Sequence, residues 1–528
     1  MNNRVSSPIV DPHLNNAFEY GLDYDPKVRQ NGALVTYDRE SVRKYRAKSI
    51  KYLLDDTSLL MNMIVHHKTY QVPRLQVLED YYLNNNSMIL HGSRRQDEGK
   101  SDHRIRHSFA SVISDFLTAH TISNPVKIID SAEKSTFTEL LDVFNFVNDI
   151  NAHNIEISKD QNNMGRAYEL LQRTEDDKDR IYLLDPKTVF MIHDLTVRAR
   201  VIGAVRYFPI DDISTNGEEP EYIIELYTWD KIYRFVSTKI GDNENLAIDG
   251  EPESHLFGGV PIIEYRSDRY RMAVYERQLP LIDAYDAAQS DTANYMTDFN
   301  DATLAVYGRV QNADDPNYIK KMKDANTIFL IPPANSLGEE TGTVKAGYLV
   351  KHYDVAGVEA YKSRLKEDIF NFSNTPDLSD DSFAGTQTGE AMKYKLFGLQ
   401  QRRSDKEKFL SKGFRVRYKL LENLKRAVSE YSGEEPDLSF KFSPNLPTAY
   451  IDELLKYSQA GGQVSHKTAL SILSFVDDPE AELNQIKEEL KQRAEAVKPA
   501  DEKYWEAEYD ESVRKTSELR TREGMAES

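Results

Sequence analysis

The sequence contains no cysteine. Without thiols the chain can form no disulfide, no thiolate metal site and no cysteine nucleophile. It also lacks any apolar run approaching the roughly 18 residues that a membrane-spanning helix needs. The first residues, MNNRVSSPIVDPHLNN, carry no apolar segment of the kind found in export signals. We therefore expect neither a membrane span nor an export signal.

Motifs of known enzyme classes are also missing. The stretch GGQVSHKT, counted from Gly461, comes nearest to a phosphate-binding loop, but His466 stands where that loop needs its second glycine. His103 and His107 have the spacing of a helical metal pair, but no third ligand is near them in the sequence and arginines flank them. No Ser-His-Asp order, HExxH or GxSxG motif stands out. We expect no enzymatic activity, no cofactor and no bound metal.

Basic residues are in deficit. The 528 residues include 67 Lys and Arg against 86 Asp and Glu, a net charge of −19. A protein that reads DNA through its surface presents a basic face. The acidic balance argues against that class, although it is compatible with a protein that lets DNA pass without holding it. The length allows about three or four domains, and 40% hydrophobic residues suffice for real cores.

Helical periodicity dominates the first part of the chain, and strand-like segments follow. Residues 1–37 show no clear period and are predicted to be an irregular arm. Apolar residues recur at threes and fours and predict helices in 38–85, 104–119 and 136–150. Between residues 180 and 265, short β-branched and aromatic segments separated by glycine turns predict strands. Helices followed by strands, without regular alternation, predict an α+β, mainly helical fold in which residues 38–278 form one domain.

A helix predicted from residue 279 to 303 is unusually acidic. Between Arg277 and Arg309 there is no Lys or Arg. Its negative charge comes from five aspartates: Asp283, Asp286, Asp291, Asp298 and Asp301. Apolar and aromatic residues spaced alternately four and three apart from Leu281 form a heptad-like seam. Two interpretations stay open: the aspartates form a solvated face on a core helix, or the seam joins subunits and the acid faces a shared cavity.

The rest of the chain divides at turn signals and changes of composition. The predicted segments are a small α/β insert at 304–353, a helix at 354–373, a polar loop at 374–388, a long helix at 389–432, a helical region at 433–498 and an acidic flexible tail at 499–528. Inside the long helix, glycines at 398 and 413 would each cost about 1 kcal/mol relative to alanine. Such a cost is usually offset by a kink or by close packing.

The long helix carries a concentration of positive charge. From Lys393 to Arg426 there are 12 basic residues against three acidic ones, a net charge of +9. Three uses of this charge stay open: exposure to solvent, pairing with an acidic surface of a neighbouring copy, and contact with nucleic acid.

Three stretches, in this order along the chain, carry a resemblance to a known family. They are LIDAYDAAQSDTANYMTDFNDA at 281–302, YDVAGVEAYKSRLKEDIF at 353–370 and NTPDLSDDSFAGTQTGEAMKYKLFGLQQRRSDKEKFLSKGFRVR at 374–417. The chain resembles the tailed-phage portal proteins, or head-to-tail connectors, of the branch found in long-tailed phages of Gram-positive hosts. The resemblance runs over residues 45–488.

The resemblance implies a portal fold assembled as a ring, usually of twelve subunits, at one vertex of the capsid. Double-stranded DNA would pass through its channel during packaging and ejection. Residues 38–278 then correspond to the wing, 279–303 and 354–373 to two stem helices, 304–353 to the clip, 374–388 to the tunnel loop and 433–498 to the crown. The implied partners are the terminase large subunit, a head-completion or adaptor protein, and the scaffold and major capsid proteins. The implied location is the virion, after assembly in the host cytoplasm.

The same resemblance suggests roles for particular residues. Those expected to face DNA from the tunnel loop, without reading its sequence, are Asp380, Asp381, Phe383, Thr386 and Gln387. An acidic channel wall is expected from the five aspartates of the first stem helix. Partner contact at the clip is expected from Lys320, Lys321 and Lys323, although a solvated helix would explain them equally well. Two other classes stay open: an unrecognised DNA-processing enzyme, and a capsid or scaffold protein without a DNA channel.

Overall fold

A computed structural model of the chain describes most of the region between residues 40 and 497. The described residues are 40–91, 101–132, 135–210, 221–241, 244–298, 303–307, 309–310, 315–318, 320, 330–332, 336–338, 345–349, 354–377, 396–443, 465–470, 473, 476 and 479–497. The chain divides into two compact units, Met1–Asn445 and Leu446–Ser528.

Among the described residues of the first unit, more lie in helices than in strands. In chain order they are α1 (Ile50–Asp55), α2 (Thr57–His66), α3 (Val72–Tyr82), α4 (Ser87–His91), α5 (Phe109–Ile122), α6 (Phe137–Val147), α7 (Ile150–Met164), α8 (Leu279–Asp298), α9 (Val355–Ser373) and α10 (Phe397–Ala427). A π-helical turn (His67–Gln71) joins α2 to α3, and 3-10 turns lie at Glu40–Val42 and Glu276–Gln278. Side chains that accept a hydrogen bond from a first-turn amide fix several starts, as Asp354 does for Gly357 N of α9 at 3.0 Å.

Strands occupy the middle of the first unit and recur near its end. They are β1 (Tyr45–Arg46), β2 (Lys127–Asp130), β3 (Arg166–Arg173), β4 (Asp179–Leu184), β5 (Val189–His193), β6 (Val201–Pro209), β7 (Tyr222–Tyr227), β8 (Lys231–Ser237), β9 (Ala247–Ile248), β10 (Glu253–Ser254), β11 (Ile262–Arg266), β12 (Thr303–Tyr307), β13 (Arg309–Val310), β14 (Leu330–Ile331), β15 (Lys345–Leu349) and β16 (Leu438–Lys441).

The largest sheet has seven strands in the order β1-β5-β6-β7-β8-β10, with β9 also paired to β8. β1 runs parallel to β5, whereas the other pairs are antiparallel. One face of this sheet is covered by α1 and α2, whose Leu53, Leu60 and Ile64 are fully buried against Phe190 and Phe235. The apolar residues of α2 lie three and four apart, so a single helix face reaches the sheet.

A smaller antiparallel sheet has the order β11-β3-β4, and its strand β11 packs against the long helix α10. Its side chains share one core with α6, α7 and α10, built around Phe137, Ile157, Tyr265 and Phe414. The strand β16 returns after α10 and pairs with β2, with Phe440 opposite Ile128. Segments far apart in sequence therefore meet on both sides of α10.

Several predicted elements occur with shifted bounds. The predicted helix at 104–119 begins only at Phe109, and the one at 136–150 ends at Val147, followed by α7, which was not predicted. The predicted helix at 279–303 ends at Asp298, and a strand starts at Thr303. Strands β3 and β5 were also missed. The long helix ends at Ala427, before the predicted stop at residue 432, and residues 389–395 lie outside the described part.

Within the predicted insert, the described residues form two strand pairs. β12 pairs antiparallel with β15, and β13 with β14. The second unit contributes α11 (His466–Leu470) and α12 (Pro479–Val497), and Leu470, Leu473 and Val476 form its buried cluster. The predicted arm at 1–37 and the predicted tail at 499–528 lie outside the described residues.

Candidate functional site

The helices α8 and α9, which precede and follow the insert, pack against each other. A hydrogen bond from Lys362 Nζ of α9 to Gln289 Oε1 of α8, 3.0 Å long, ties them at mid-length. Lys362 is buried, and its ammonium also lies beside Glu359 one turn earlier. The two helices expected to form the stem are thus neighbours within one subunit.

An extended segment, residues 101–107, lies along α8. Backbone N–H groups of His103 and Ile105 donate to Asn294 Oδ1 at 2.6 Å and to Ser290 Oγ at 2.9 Å. His103 Nε2 lies 2.8 Å from Thr297 Oγ1. This segment covers the face of α8 that carries Ser290 and Asn294, both fully buried. The sequence pattern did not show this contact, since almost 200 residues separate the partners.

Neighbouring segments also bury two of the five aspartates of α8. Tyr81 donates its hydroxyl to Asp283 Oδ1 at 2.6 Å. Asp286 accepts from Asn86 Nδ2 and lies 2.8 Å from His107 Nδ1. Burial raises the pKa of Asp283 to about 8, although the hydrogen bond from Tyr81 opposes the shift. Burial also raises the pKa of Asp286 above its usual value, against the hydrogen bonds from His107 and Asn86.

For two of the five aspartates, the structure corrects the expected placement on a solvated face or a cavity wall. Asp283 and Asp286 are 5% and 0% exposed, so in the subunit they form neither a solvated face nor a cavity wall. Asp291 is exposed on α8. Asp298 is the last residue of the helix, and Asp301 lies outside the described residues. A place on a channel wall stays a proposal for these last three.

The two histidines singled out in the sequence precede α5, so they do not form a helical pair, and each contacts α8. His103 contacts Thr297, and His107 contacts Asp286. Among the described residues, no group of three or more His, Asp or Glu side chains could hold a metal ion. Residues 461–464 of the GGQVSHKT stretch lie outside the described part, and His466 begins the short helix α11.

The start of the polar loop at Asn374 lies against the beginning of α10. Asn374 ends α9 with a left-handed backbone (φ 51°), and its N–H donates to Asn371 O at 3.1 Å. Arg402 of α10 donates to Ser373 O and, at 2.9 Å, to Val274 O. A Cβ at Gly398 would lie 2.6 Å from Asn374 Oδ1, so glycine allows α10 to begin against the end of α9. The described residues that flank the loop therefore lie in contact with each other.

Asp380, Asp381, Phe383, Thr386 and Gln387 lie outside the described residues. Before them, Asp377 pairs with Lys366 of α9 at 2.8 Å. At the insert, Lys320 is helical and exposed, whereas Lys321 and Lys323 lie outside the described part.

Apart from Arg402, which donates to two backbone carbonyls, the basic residues of α10 divide into three groups. Lys406 and Arg417 are buried. Those within salt-bridge distance of a carboxylate, besides Arg417, are Arg403, Lys408, Lys419, Lys425 and Arg426. Lys412 and Arg415 are exposed, and neither has a carboxylate partner in the part of the chain that the structure describes. Several of these cations thus have partners inside the subunit, and Lys412 and Arg415 form a short exposed remainder.

None of the described helices combines the length and the apolar character needed to cross a bilayer.

Comparisons with known proteins agree over most of the chain. Residues 62–496 match a family model described as phage portal protein, SPP1 Gp6-like. A portal protein of Bacillus phage SPP1 is 23% identical over 420 residues, which cover 76% of this chain and 79% of that protein. A solved structure described as the neck of an empty GTA particle computed with C6 symmetry aligns with a TM-score of 0.40 and 10% identity, over 73% of this chain and 96% of that one. The family match includes α8, α9, the polar loop and α10.

Proposed function

The chain belongs to the phage portal protein family, and we propose that it forms a ring of about twelve copies around a channel at one capsid vertex. As a portal protein it is a structural connector and a component of the phage particle. In our proposal double-stranded DNA enters the capsid through this channel during packaging and leaves through it during ejection. The family match over residues 62–496 is the observation that carries the proposal.

The ends of the polar loop support its role as a constriction. Anchored flanks restrict the position of a loop, and here Asn374 at its start contacts Gly398 while Arg402 binds Ser373. We assign the DNA-facing positions to Asp380, Asp381, Phe383, Thr386 and Gln387. Acidic and polar side chains repel or only weakly hold phosphate, which suits passage without sequence reading.

Exposed apolar side chains on the stem helices support assembly. Val355, Tyr361 and Phe372 of α9 are each half exposed or more in the isolated subunit. Large apolar side chains left in solvent are typical of surfaces that another protein covers. We propose that neighbouring copies cover part of this surface and that Asp291, Asp298 and Asp301 contribute negative charge along the channel.

The insert at 304–353 is the proposed docking site for the terminase large subunit and later for a head-completion or adaptor protein. Lys320, Lys321 and Lys323 would supply positive charge there. Scaffold and major capsid proteins would meet the ring during assembly, which we place in the host cytoplasm. We assign no enzymatic activity to the chain, since packaging work belongs to a separate motor in this proposal.

The test replaces the five loop residues by Gly and Ser at unchanged loop length and supplies the variant to cells infected with a phage that lacks its own copy. Electron micrographs of the purified variant should still show rings with a central hole. Capsids should contain much less nuclease-protected DNA than those made with the unmodified chain. A matched control changes Asp405 and Lys408, an exposed pair on α10, to Ser and should package normally. A strictly monomeric protein at high concentration would contradict the ring, and normal packaging by the loop variant would contradict the constriction.

A further inference from the structure

One side of α10 forms the wall of an open groove of about 720 Å³. The opposite wall comes from β5, β11 and the turn that carries Trp229. The groove has an apolar floor made by Met191, Val201, Val260, Ile262, Val416 and Leu420. Trp229 and Val416 are 65% and 43% exposed, so part of this apolar lining faces solvent. An open apolar groove of this size is typical of a surface that another chain covers.

Positive charge surrounds that floor. The basic residues of the lining are Lys44, Arg198, Arg266, Lys412, Arg415 and Lys419. Lys419 pairs with Glu422 and Glu435. Arg198, Lys412 and Arg415 are exposed, and within the described residues no carboxylate lies at salt-bridge distance from them. The groove therefore favours a segment that brings both apolar and acidic side chains.

The outer face of α6 has that composition. Phe146, Val143 and Val147 are 88%, 64% and 41% exposed. Glu139 and Asp142 are exposed beside them, and neither is ion-paired within the described part of the chain. Positions 139, 142, 143, 146 and 147 follow helical spacing, so they share one face. Its core-facing side is already filled by buried apolar residues, which leaves the outer face without a partner inside the described subunit.

The groove and the outer face of α6 lie on different flanks of α10. Tyr418 of α10 donates to Asn145 Oδ1 of α6 at 3.1 Å, which places α6 beside Tyr418. Val416 lines the groove. At 3.6 residues per turn, side chains two positions apart point about 160° away from each other. A ring built from one repeated contact needs two different surfaces on separate sides of each subunit.

We propose that the outer face of α6 in one copy docks into the α10 groove of the next copy. Phe146 enters the groove beside Trp229, and Glu139 and Asp142 face Lys412 and Arg415. This inference rests on the proposed ring and assigns the pair of surfaces that closes it. Duplex DNA is the other occupant that positive charge could attract, but it would leave both the apolar floor and Phe146 in water.

The absence of native cysteine makes cross-linking a direct test. The variant Phe146→Cys with Val416→Cys in the same chain is purified and treated with a short bis-maleimide. Denaturing gels should show a ladder of covalent oligomers that ends at the size of the ring. Either substitution alone should give no ladder beyond background. The control pair is Phe146→Cys with Leu83→Cys, since Leu83 is also well exposed, at 59%, but does not line the groove.

Charge reversal provides the second measurement. Lys412→Glu with Arg415→Glu, or Glu139→Lys with Asp142→Lys, should each reduce the fraction of protein in rings at least several-fold in electron micrographs. Joining all four substitutions in one chain should restore ring formation, which a folding defect would not do.

The outcomes separate this inference from the proposed function. If the unmodified chain forms rings but the double-cysteine variant gives no ladder, or if the fourfold reversal does not restore rings, the α6–groove contact is wrong and the ring stands. If the unmodified chain forms no rings, both are wrong. If Lys412→Glu with Arg415→Glu keeps its rings and loses affinity for duplex DNA, the groove is a nucleic-acid surface and the contact is overturned.

Discussion

Arg417 of the long helix α10 forms a buried ion pair with Glu169 of strand β3. Arg417 Nε lies 2.9 Å from Glu169 Oε1, its second terminal nitrogen contacts Oε2, and both side chains are fully buried. His153 Nε2 lies 2.9 Å from Glu169 Oε2, and Asn154 accepts from Arg417 at 2.9 Å. This ion pair therefore connects α10, the helix that follows the loop, to the sheet β11-β3-β4 and to α7.

We predict that Glu169→Gln strongly destabilises the protein. Burial alone would raise the pKa of Glu169, but the charge of Arg417 and hydrogen bonds from His153 and Arg417 outweigh it and lower the pKa to about 2. Removing one charge of a buried pair leaves the other uncompensated, which costs about 3–5 kcal/mol of unfolding free energy. Urea denaturation of the variant and the unmodified chain at pH 7 measures this loss of unfolding free energy.

The lowered pKa of Glu169 also determines how its contribution to stability changes with pH. Because the folded state lowers the pKa from the usual 4.5, the stabilisation is complete above about pH 4.5 and is lost as the pH falls towards 2. The difference between the unmodified chain and Glu169→Gln should shrink over that interval. Asp405→Asn removes one member of an exposed pair on the same helix and should leave the urea midpoint unchanged. Equal effects of the two substitutions would contradict the assignment.

The sequence predicted those elements that are defined by the spacing of apolar residues within the element itself. Helix α9 was expected at 354–373 and lies at Val355–Ser373, because its own apolar spacing and the Asp354 cap define it. Strand β3 was missed because the charged residues Arg166 and Glu169 of RAYELLQR fall on opposite faces of a strand, so neither face is apolar throughout. Both charges are buried, and their partners Gln71 and Arg417 are distant in the sequence.

Contacts between residues distant in the sequence also could not be predicted at the candidate site. Five aspartates in one helix predict charge, but the sequence does not state which of them another segment will cover. Tyr81, Asn86 and His107 bury Asp283 and Asp286 from about 180–200 residues away in the chain. The basic stretch of α10 was likewise visible as composition. Its division between buried pairs and an exposed remainder depends on tertiary contacts that no local spacing encodes.

We predict that Asp283→Asn changes how stability depends on pH. In the folded chain burial raises the pKa of Asp283 from the usual 3.8 to about 8. Between those values the folded state keeps a proton that the unfolded state releases, so this residue makes stability fall as the pH rises from about 4 to 8. The neutral amide of the variant can still accept the hydrogen bond from Tyr81. Because the amide does not titrate, the fall of stability with rising pH should disappear. Thermal melts should show equal stability near pH 4 and a variant more stable above pH 8, by on the order of a few kcal/mol.

The control for this prediction is Asp291→Asn, an exposed position on the same helix, which should reproduce the unmodified pH profile. Destabilisation of Asp283→Asn at every pH would mean that Tyr81 needs the ionised carboxylate, and the assignment of a raised pKa to Asp283 would be wrong.

The two glycines inside α10 should respond differently to alanine. An added Cβ at Gly413 would overlap the ring of Tyr265, which is fully buried. At Gly398 the nearest atom is the amide oxygen of Asn374, which can rotate away. Alanine gains about 1 kcal/mol in a helix, whereas overpacking a core costs about 1–3 kcal/mol. We expect Gly413→Ala to lower the free energy of unfolding and Gly398→Ala to change it little.

Urea denaturation of both variants measures the difference, and Gly398→Ala combined with Asn374→Gly separates helix propensity from packing. Glycine at 374 suits the left-handed backbone there (φ 51°) and removes the amide that the new methyl group would meet. The double variant should therefore be at least as stable as Asn374→Gly alone. If Gly413→Ala instead stabilised the protein as alanine does in an open helix, the close packing of α10 on β11 would be contradicted, because Tyr265 could not accommodate the methyl group without moving.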